Sequence, residues 1–207
     1  MRPLFFATVL CIAFTTAATR ADLPPSNDTP WLSMDRGPYF SASVECSLPQ
    51  RQITPKGLII RVSKDKPAYV LFDTDLLRYS CGWTGGSINF HNVLFDGSHQ
   101  TWSRVVGDEV FANGMTPGWA KDGSFADPRQ RFPSTDYLPQ PPSWQNNAYG
   151  PLPHDYARYK GLYVHGERIV LSYTVGGITV LDSPGYESDG SLSVFTRRAE
   201  LARSALR

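Results

Sequence analysis

Apolar side chains recur at every second position near the C-terminal end of the chain. Between residues 169 and 175 the odd positions carry Ile, Leu, Tyr and Val, which is the pattern of a strand with one buried face. Glycine-containing pairs, Gly166–Glu167 and Gly176–Gly177, flank this strand and fit two-residue hairpin turns. The segment from Gly161 to Leu181 therefore predicts a three-stranded antiparallel meander.

Other short apolar runs predict strands along the rest of the chain. They lie at Tyr39–Cys46, Gly57–Val62, Ala68–Asp73, Ser87–Phe95 and Ser191–Arg197. No helical segments alternate with them, so the sequence predicts an all-β fold, either an antiparallel β-sandwich or a partial β-propeller. Residues 39–198 are expected to form one domain, followed by a basic, helix-prone tail at 199–207.

A long region between these groups of strands has no sustained period. Residues 96–159 are rich in Gly and Pro, which number 17 each in the whole chain. A stretch of this length without regular structure is typical of a functional loop or of an insertion over a scaffold. We therefore predict a long irregular loop insertion there.

The first residues have the features of an export signal. Arg2 precedes an apolar run that ends near Phe14, and small residues follow up to Ala21. This pattern predicts a signal peptide at 1–21 and a proline-containing linker at 22–38, and hence a periplasmic or secreted protein. The apolar run is too short to cross a bilayer, and no membrane span is predicted elsewhere.

Charge and composition argue against a disordered chain and against a nucleic-acid-binding protein. The chain is 41% hydrophobic and 19% charged, which is typical of a folded domain. Its net charge is +1, and the positive charge is concentrated in the leader and the last eleven residues. The body is therefore mildly acidic, and no nucleic-acid partner is expected.

Two cysteines remain beyond the predicted leader, Cys46 and Cys81. An even number in an exported chain predicts one disulfide. The alternative is a pair of separate buried thiols.

The stretch from Ala68 to Gly86 concentrates groups that are able to bind a ligand. Asp73 and Asp75 are two residues apart and would share one face if the strand continued through both. Arg78 and Trp83 follow them. The two carboxylates would suit the acid and base of a glycoside hydrolase or the ligands of a calcium ion. The alternative is a strand end in which Arg78 neutralises one carboxylate and a turn amide binds the other.

Aromatic and charged loop residues form a second candidate site. Trp83, Trp119 and other loop tryptophans are suited to stacking on sugars. Asp127 and Arg129 lie near Trp119 in the sequence and form either part of this site or a clamp within the loop. The alternative for each tryptophan is that it anchors its loop on the core.

Histidines offer a weaker candidate for metal binding. His91 and His99 flank a turn at Gly97, where Asp96 would be a third ligand, although polar loop positions explain them equally. No haem-attachment, phosphate-loop, dinucleotide or nucleophile-elbow motif is present. We therefore expect no metal site and no cofactor.

Several long motifs resemble a known family. They are KGLIIRV, LFDTDLLRYSCGWTGG, PGWAKDGSFADPR, GPLPHDYARYKGLYVHG and VLSYTVGG, which together extend from about Gly57 to Gly177. They resemble an uncharacterised N-terminal domain of large exported bacterial proteins that carry propeller-type dehydrogenase-like and c-type cytochrome regions. The resemblance implies no activity of the domain itself, and it implies a downstream redox domain as a partner.

Taken together, the sequence favours a binding or scaffolding module without catalytic activity of its own. Its ligand is expected to be a carbohydrate or a partner redox domain, held by Asp73, Asp75, Arg78, Trp83, Trp119, Asp127 and Arg129. The alternative is a hydrolase acting on glycosides through Asp73 and Asp75.

Overall fold

The computed structural model describes residues 34–48, 51–90, 102–129, 150–190 and 192–202, and over these ranges the chain forms strands and turns without a helix. The predicted leader at 1–21, most of the linker, and the end of the basic tail lie outside the described residues. Contacts divide the chain after Met34, and all of the strands belong to the unit from Asp35 onward.

In the part of the chain that the structure describes, eleven strands form two sheets, so the predicted all-β fold is confirmed. The first sheet has the order β5-β6-β1-β2-β3-β4-β7. Its strands are β1 (Tyr39–Cys46), β2 (Gln52–Ser63), β3 (Ala68–Asp73), β4 (Arg78–Thr84), β5 (Ile88–Asn89), β6 (Ser103–Val105) and β7 (Asp108–Ala112). The second sheet has the order β11-β10-β9-β8. Its strands are β8 (Ala157–His165), β9 (Arg168–Val175), β10 (Ile178–Asp189) and β11 (Leu192–Leu201).

The two sheets pack against each other across one apolar cluster. Leu58 of β2 and Phe72 of β3 meet Leu171 of β9 and Val180 of β10, and all four side chains are buried. Ile59 lies between Leu58 and Ile60 in β2. Its side chain points to the opposite face of the first sheet, because successive side chains of a strand alternate between the two faces. Both faces of this sheet are therefore apolar, which explains why β2 reads as a continuous hydrophobic run.

The first sheet curls into a half-barrel. Cys46 of β1 and Cys81 of β4 meet across its concave face, although two strands separate β1 from β4. The backbone N–H groups of Ser47 and Leu48, just after β1, donate to the carboxylate of Glu109 on β7. Register shifts interrupt several strand pairs of this sheet, and such bulges bend strands and increase their twist.

The predicted meander is confirmed in detail. Strands β8, β9 and β10 are joined by turns at Gly166–Glu167 and Gly176–Gly177. Gly176 and Gly177 have φ angles of 55° and 78°, as a tight hairpin turn requires of both central residues.

The structure differs from the prediction in three parts of the chain. Strands β6 and β7 lie inside the region predicted to be irregular, and they are too short to show a period in the sequence. Strand β10 continues to Asp189, beyond the end of the predicted meander at Leu181. The helix prediction is wrong for residues 199–201, which extend β11 because they pair with β10.

Candidate functional site

A cleft of about 700 Å³ lies between the edges of the two sheets. Strand β7 and the loop after it line one side, and strand β11 lines the other. The rim is apolar, with Val110, Phe125 and Val194 all exposed. Phe111 of β7 and Phe195 of β11 contact each other edge to face, with ring centroids 5.4 Å apart. The cleft is therefore bordered by one edge strand of each sheet, β7 and β11.

A polar network lies at the base of this cleft, centred on the buried Asp182 of β10. One carboxylate oxygen of Asp182 accepts a hydrogen bond from the Tyr79 hydroxyl at 3.1 Å. The other accepts from the Tyr173 hydroxyl at 2.7 Å and from Arg197 Nε at 2.9 Å. Arg197 also donates to the Tyr173 oxygen at 2.8 Å. The network therefore connects β4 of one sheet to β9, β10 and β11 of the other.

Electrostatics keep the hydroxyl groups of this network protonated. Burial, together with the charge of Asp182, raises the pKa of Tyr79 well above its usual value. The same two causes raise the pKa of Tyr173. Burial acts to lower the pKa of Arg197, but the hydrogen bond and charge of Asp182 outweigh it and the pKa is raised. The tyrosines therefore remain donors, and Arg197 remains a cation.

Trp119 lies beside the network and covers the Arg197 side chain. The guanidinium carbon of Arg197 is 5.1 Å from the Trp119 ring centroid and 5.6 Å from that of Tyr79. Such cation–π contacts favour a positive charge held against ring faces. The Trp119 ring also meets Tyr173 edge to face. One face of this indole is thus occupied from within the protein.

Asp73 and Arg78, two of the predicted site residues, form a buried ion pair at the turn between β3 and β4. Asp73 Oδ1 accepts the backbone N–H groups of Asp75 and Leu76 at 3.0 and 3.1 Å, which caps the turn between β3 and β4. Its other oxygen is 3.4 Å from Arg78 Nε. Burial raises the pKa of Asp73 and lowers that of Arg78, since it disfavours both charged forms.

Arg78 fastens the loop after β7 to this turn. Its NH1 donates to the carbonyl oxygens of Asn113 and Gly114 at 2.7 and 2.8 Å, and its NH2 donates to Gln52 at 3.2 Å. Arg78 also lines the cleft. Of the predicted polar residues it therefore contributes most directly to the wall of the cleft, as a structural support.

Asp75 lies in the turn after β3 and not on the strand that carries Asp73. Strand β3 ends at Asp73, so Asp75 belongs to the turn, and the expected placement of both carboxylates on one strand face is wrong. Asp75 Oδ1 is 3.4 Å from Lys56 Nζ. It borders a separate pocket of about 270 Å³ together with His154 and Arg158.

Trp83, Asp127 and Arg129 occupy structural positions. Trp83 is fully buried, stacks on Tyr69 with centroids 5.5 Å apart, and donates to the Ser87 carbonyl. Arg129 Nε and NH2 bind the two oxygens of Asp127 at 3.0 and 2.8 Å. Arg129 also donates to the Gly150 carbonyl, which clamps two distant parts of the loop region.

The remaining sequence candidates are only partly described. His91, His99 and Asp96 lie outside the described residues. Among the residues that the structure does describe, no group of three or more His, Cys, Asp or Glu side chains is placed to hold a metal ion. Over the same ranges, no helix has the length and hydrophobicity to cross a membrane.

The central residues of the cleft base were not identified from the sequence. Asp182 follows Val180 at the alternation period, so it faces the core where a carboxylate is unusual. That signal was available, since the meander itself was correctly predicted. Arg197 is the last residue of the predicted strand Ser191–Arg197, and its pairing with Asp182 depends on the hairpin between β10 and β11.

Comparison with known proteins identifies one family. A model described as a domain of unknown function, DUF6797, matches residues 70–182, more than half of the chain. The matched segment begins in β3 and ends at Asp182, so it includes most residues at the base of the cleft. No curated protein and no solved structure matches the chain.

Proposed function

The chain belongs to the DUF6797 family, and from this premise we propose that it is a non-catalytic binding module that holds an extended segment of a partner protein in the cleft between β7 and β11. The cleft is expected to bind extended peptides as a class rather than one particular peptide sequence.

The position of two edge strands beside one cleft carries this proposal. Among the described strands, β7 and β11 end their sheets, and an edge strand has backbone N–H and C=O groups with no neighbouring strand. An extended peptide satisfies such groups by adding as a further strand, and pockets beside the edge select its side chains. The exposed Val110, Phe125 and Val194 supply apolar contacts of the kind that such a segment requires.

The polar groups of the cleft support binding rather than catalysis. Asp182 accepts three hydrogen bonds from within the protein, and Arg197 is committed to Asp182 and Tyr173. A general acid or base must reach a substrate proton. Since these groups bind one another, they provide a rigid base for the cleft.

The identity of the partner is proposed from the sequence motifs. The motif PGWAKDGSFADPR, which resembles that of exported bacterial proteins with propeller-type and c-type cytochrome regions, contributes Pro117, Gly118 and Phe125 to the cleft wall. We therefore place the module outside the cytoplasm, and we propose that a redox region of that type supplies the bound segment.

Carbohydrate binding and glycoside hydrolysis have less support. The Trp83 ring is buried, and one face of the Trp119 ring is already occupied by Arg197, so neither ring is offered to a sugar as an open stacking surface on both sides. Asp73 caps a turn, and Asp75 borders another pocket. No observation on the described residues favours a hydrolase over a binding module.

A pair of valine substitutions tests the proposal. Val110 on β7 and Val164 on β8 are exposed to 44% and 48%, and only Val110 lines the cleft. Peptides selected from a random library on the wild-type domain are titrated calorimetrically against Val110→Asp and Val164→Asp. We expect affinity to fall at least about tenfold for Val110→Asp, since a carboxylate would be desolvated in an apolar contact, and to be kept by Val164→Asp.

Two results would contradict the proposal. One is that no peptide is selected, or that the selected peptides bind Val110→Asp as tightly as the wild type. The other is saturable binding of a member of a glycan panel that Val110→Asp abolishes, which would assign the cleft to carbohydrate.

A further inference from the structure

We propose that Cys46 and Cys81 are joined by a disulfide that closes the concave side of the half-barrel. The two cysteines are unbonded in the structure, and their Sγ atoms are 2.6 Å apart. A disulfide has a sulfur–sulfur separation of about 2.05 Å. The side chains therefore need only a small displacement to form the bond.

The two cysteines are on strands that are not neighbours in the sheet. Strands β1 and β4 are three strand spacings apart in the sheet order, which in a flat sheet is about 14 Å and beyond the reach of a disulfide. Because the sheet curls, the two side chains come into contact on its concave side. The cross-link would therefore fasten strands that share no backbone hydrogen bonds, which is where a covalent bond constrains the chain most.

The surroundings fit a structural cross-link. Both cysteines are fully buried in the apolar cluster that contains Val44, Ile59 and Trp83. Among the described residues, no further His, Cys, Asp or Glu side chains complete a metal site with the pair. A buried disulfide of this kind is shielded from soluble reductants.

The chemistry requires an oxidant with its own disulfide, such as oxidised glutathione or a dithiol oxidase. The thiolate of one cysteine attacks the oxidant disulfide and forms a mixed disulfide, releasing the first thiol of the oxidant. The thiolate of the other cysteine then attacks the protein-bound sulfur, so the Cys46–Cys81 bond forms and the oxidant leaves fully reduced. The two thiol protons of the protein are transferred to the oxidant.

The surroundings of Cys81 in the folded domain indicate at which stage of folding the disulfide forms. The contact with Cys46 and burial raise the pKa of the Cys81 thiol, so the reactive thiolate is scarce in the folded domain. The bond is therefore expected to form during folding, before the cluster closes around it. A folded, reduced domain should react with oxidised glutathione much more slowly than the unfolded chain.

The test is refolding of the reduced chain with and without oxidised glutathione. After denaturation, the thiols beyond the leader are alkylated and counted by mass spectrometry, which does not depend on correct folding. We expect both to be unlabelled after oxidative refolding, with a mass lower by two hydrogens, and both to be labelled once a reductant is added. Two labelled thiols or two bound glutathione molecules after oxidative refolding would overturn the proposal.

A stability measurement separates a cross-link from packed thiols. Wild type that has been unfolded, reduced and refolded with reductant present should have a Tm roughly 5–15 °C below that of the oxidised wild type. The double variant Cys46→Ala, Cys81→Ala should show the same Tm with and without reductant. Equal Tm values for the wild type under both conditions would also contradict the proposal.

Discussion

The guanidinium of Arg197 lies over the indole ring of Trp119 at 5.1 Å. At the same time, its Nε donates to the fully buried carboxylate of Asp182 at 2.9 Å. One side chain on the last strand thus joins the loop after β7 to the second sheet. This contact fixes the base of the cleft, so the network around Asp182 should be essential for stability.

Replacing Asp182 should destabilise the fold. Asp182→Asn puts an amide donor where two hydroxyls and a guanidinium all donate, which leaves Arg197 without its counter-ion. We expect a loss of about 2–4 kcal/mol in the free energy of unfolding, measured by urea denaturation. Asp189→Asn, at an exposed position of the same strand, is the control and should change little. Similar losses for both variants would refute the role given to Asp182.

The domain should lose stability at alkaline pH. The folded-state pKa values of Tyr79 and Tyr173 are raised, and that of Tyr159 is raised to about 12, chiefly by burial. Unfolded tyrosine ionises near pH 10. The stabilisation from these groups is therefore complete below about pH 10 and is lost as pH rises through the folded-state values.

Tyrosinate absorbance and circular dichroism, followed together against pH, measure this loss. The chain has ten tyrosines, and we expect those at the cleft base to ionise only as the fold is lost. Tyr79→Phe should reduce the absorbance change that accompanies unfolding. If all of the absorbance appears while the circular dichroism is unchanged, the hydroxyls are not protected.

Gly118 allows the loop after β7 to approach the turn before β4. A Cβ at this position would lie 2.0 Å from the carbonyl oxygen of Leu77, and Gly118 N–H donates to the Leu76 carbonyl. Gly118→Ala should therefore cost about 1–3 kcal/mol through overpacking. Gly114→Ala is the matched control because no atom lies within 4 Å of its added Cβ. Thermal denaturation of the two variants should separate them, and equal Tm values would argue against this close packing.

Arg78 should not tolerate lysine. Its guanidinium donates to two carbonyl oxygens and to Gln52 from a buried position, and a lysine ammonium lacks that planar set of donors. We expect Arg78→Lys to lower the free energy of unfolding by about 2–4 kcal/mol. Arg104→Lys, at an exposed position with one ion pair, should change it by less than about 1 kcal/mol. Chemical denaturation distinguishes them, and a neutral Arg78→Lys would show that the loop is held by other contacts.

The parts of the fold that were predicted correctly depend on local signals. The meander was predicted because Gly176 and Gly177 mark a turn between alternating strands. Strands β6 and β7 have three and five residues and no such signal, and their positions are set by pairing with β1 and β4, which are distant in sequence. Their prediction required knowledge of the tertiary structure.

The candidate site shows the same limit. Asp73 and Arg78 were correctly associated because a turn brings them together, whereas Asp182 and Arg197 meet only when β10 and β11 form a hairpin. Trp119 was singled out for its chemistry, but its contact with Arg197 depends on the packing of the two sheets. Residues close together in the sequence therefore led to Arg78 at the cleft wall and to its partner Asp73, but not to Asp182 and Arg197 at the cleft base.

The parallel pairing of β1 with β6 has a consequence for the order of synthesis. Strand β1 has β2 beside it almost at once, but its other edge is covered only by residues 103–105. In a chain emerging from its N-terminus, this edge of β1 therefore stays open until β6 is made, which begins more than fifty residues after Cys46. The second sheet, by contrast, assembles from consecutive hairpins within residues 157–201. During synthesis, the first sheet therefore has an unpaired strand edge open to other chains for longer than the second sheet does.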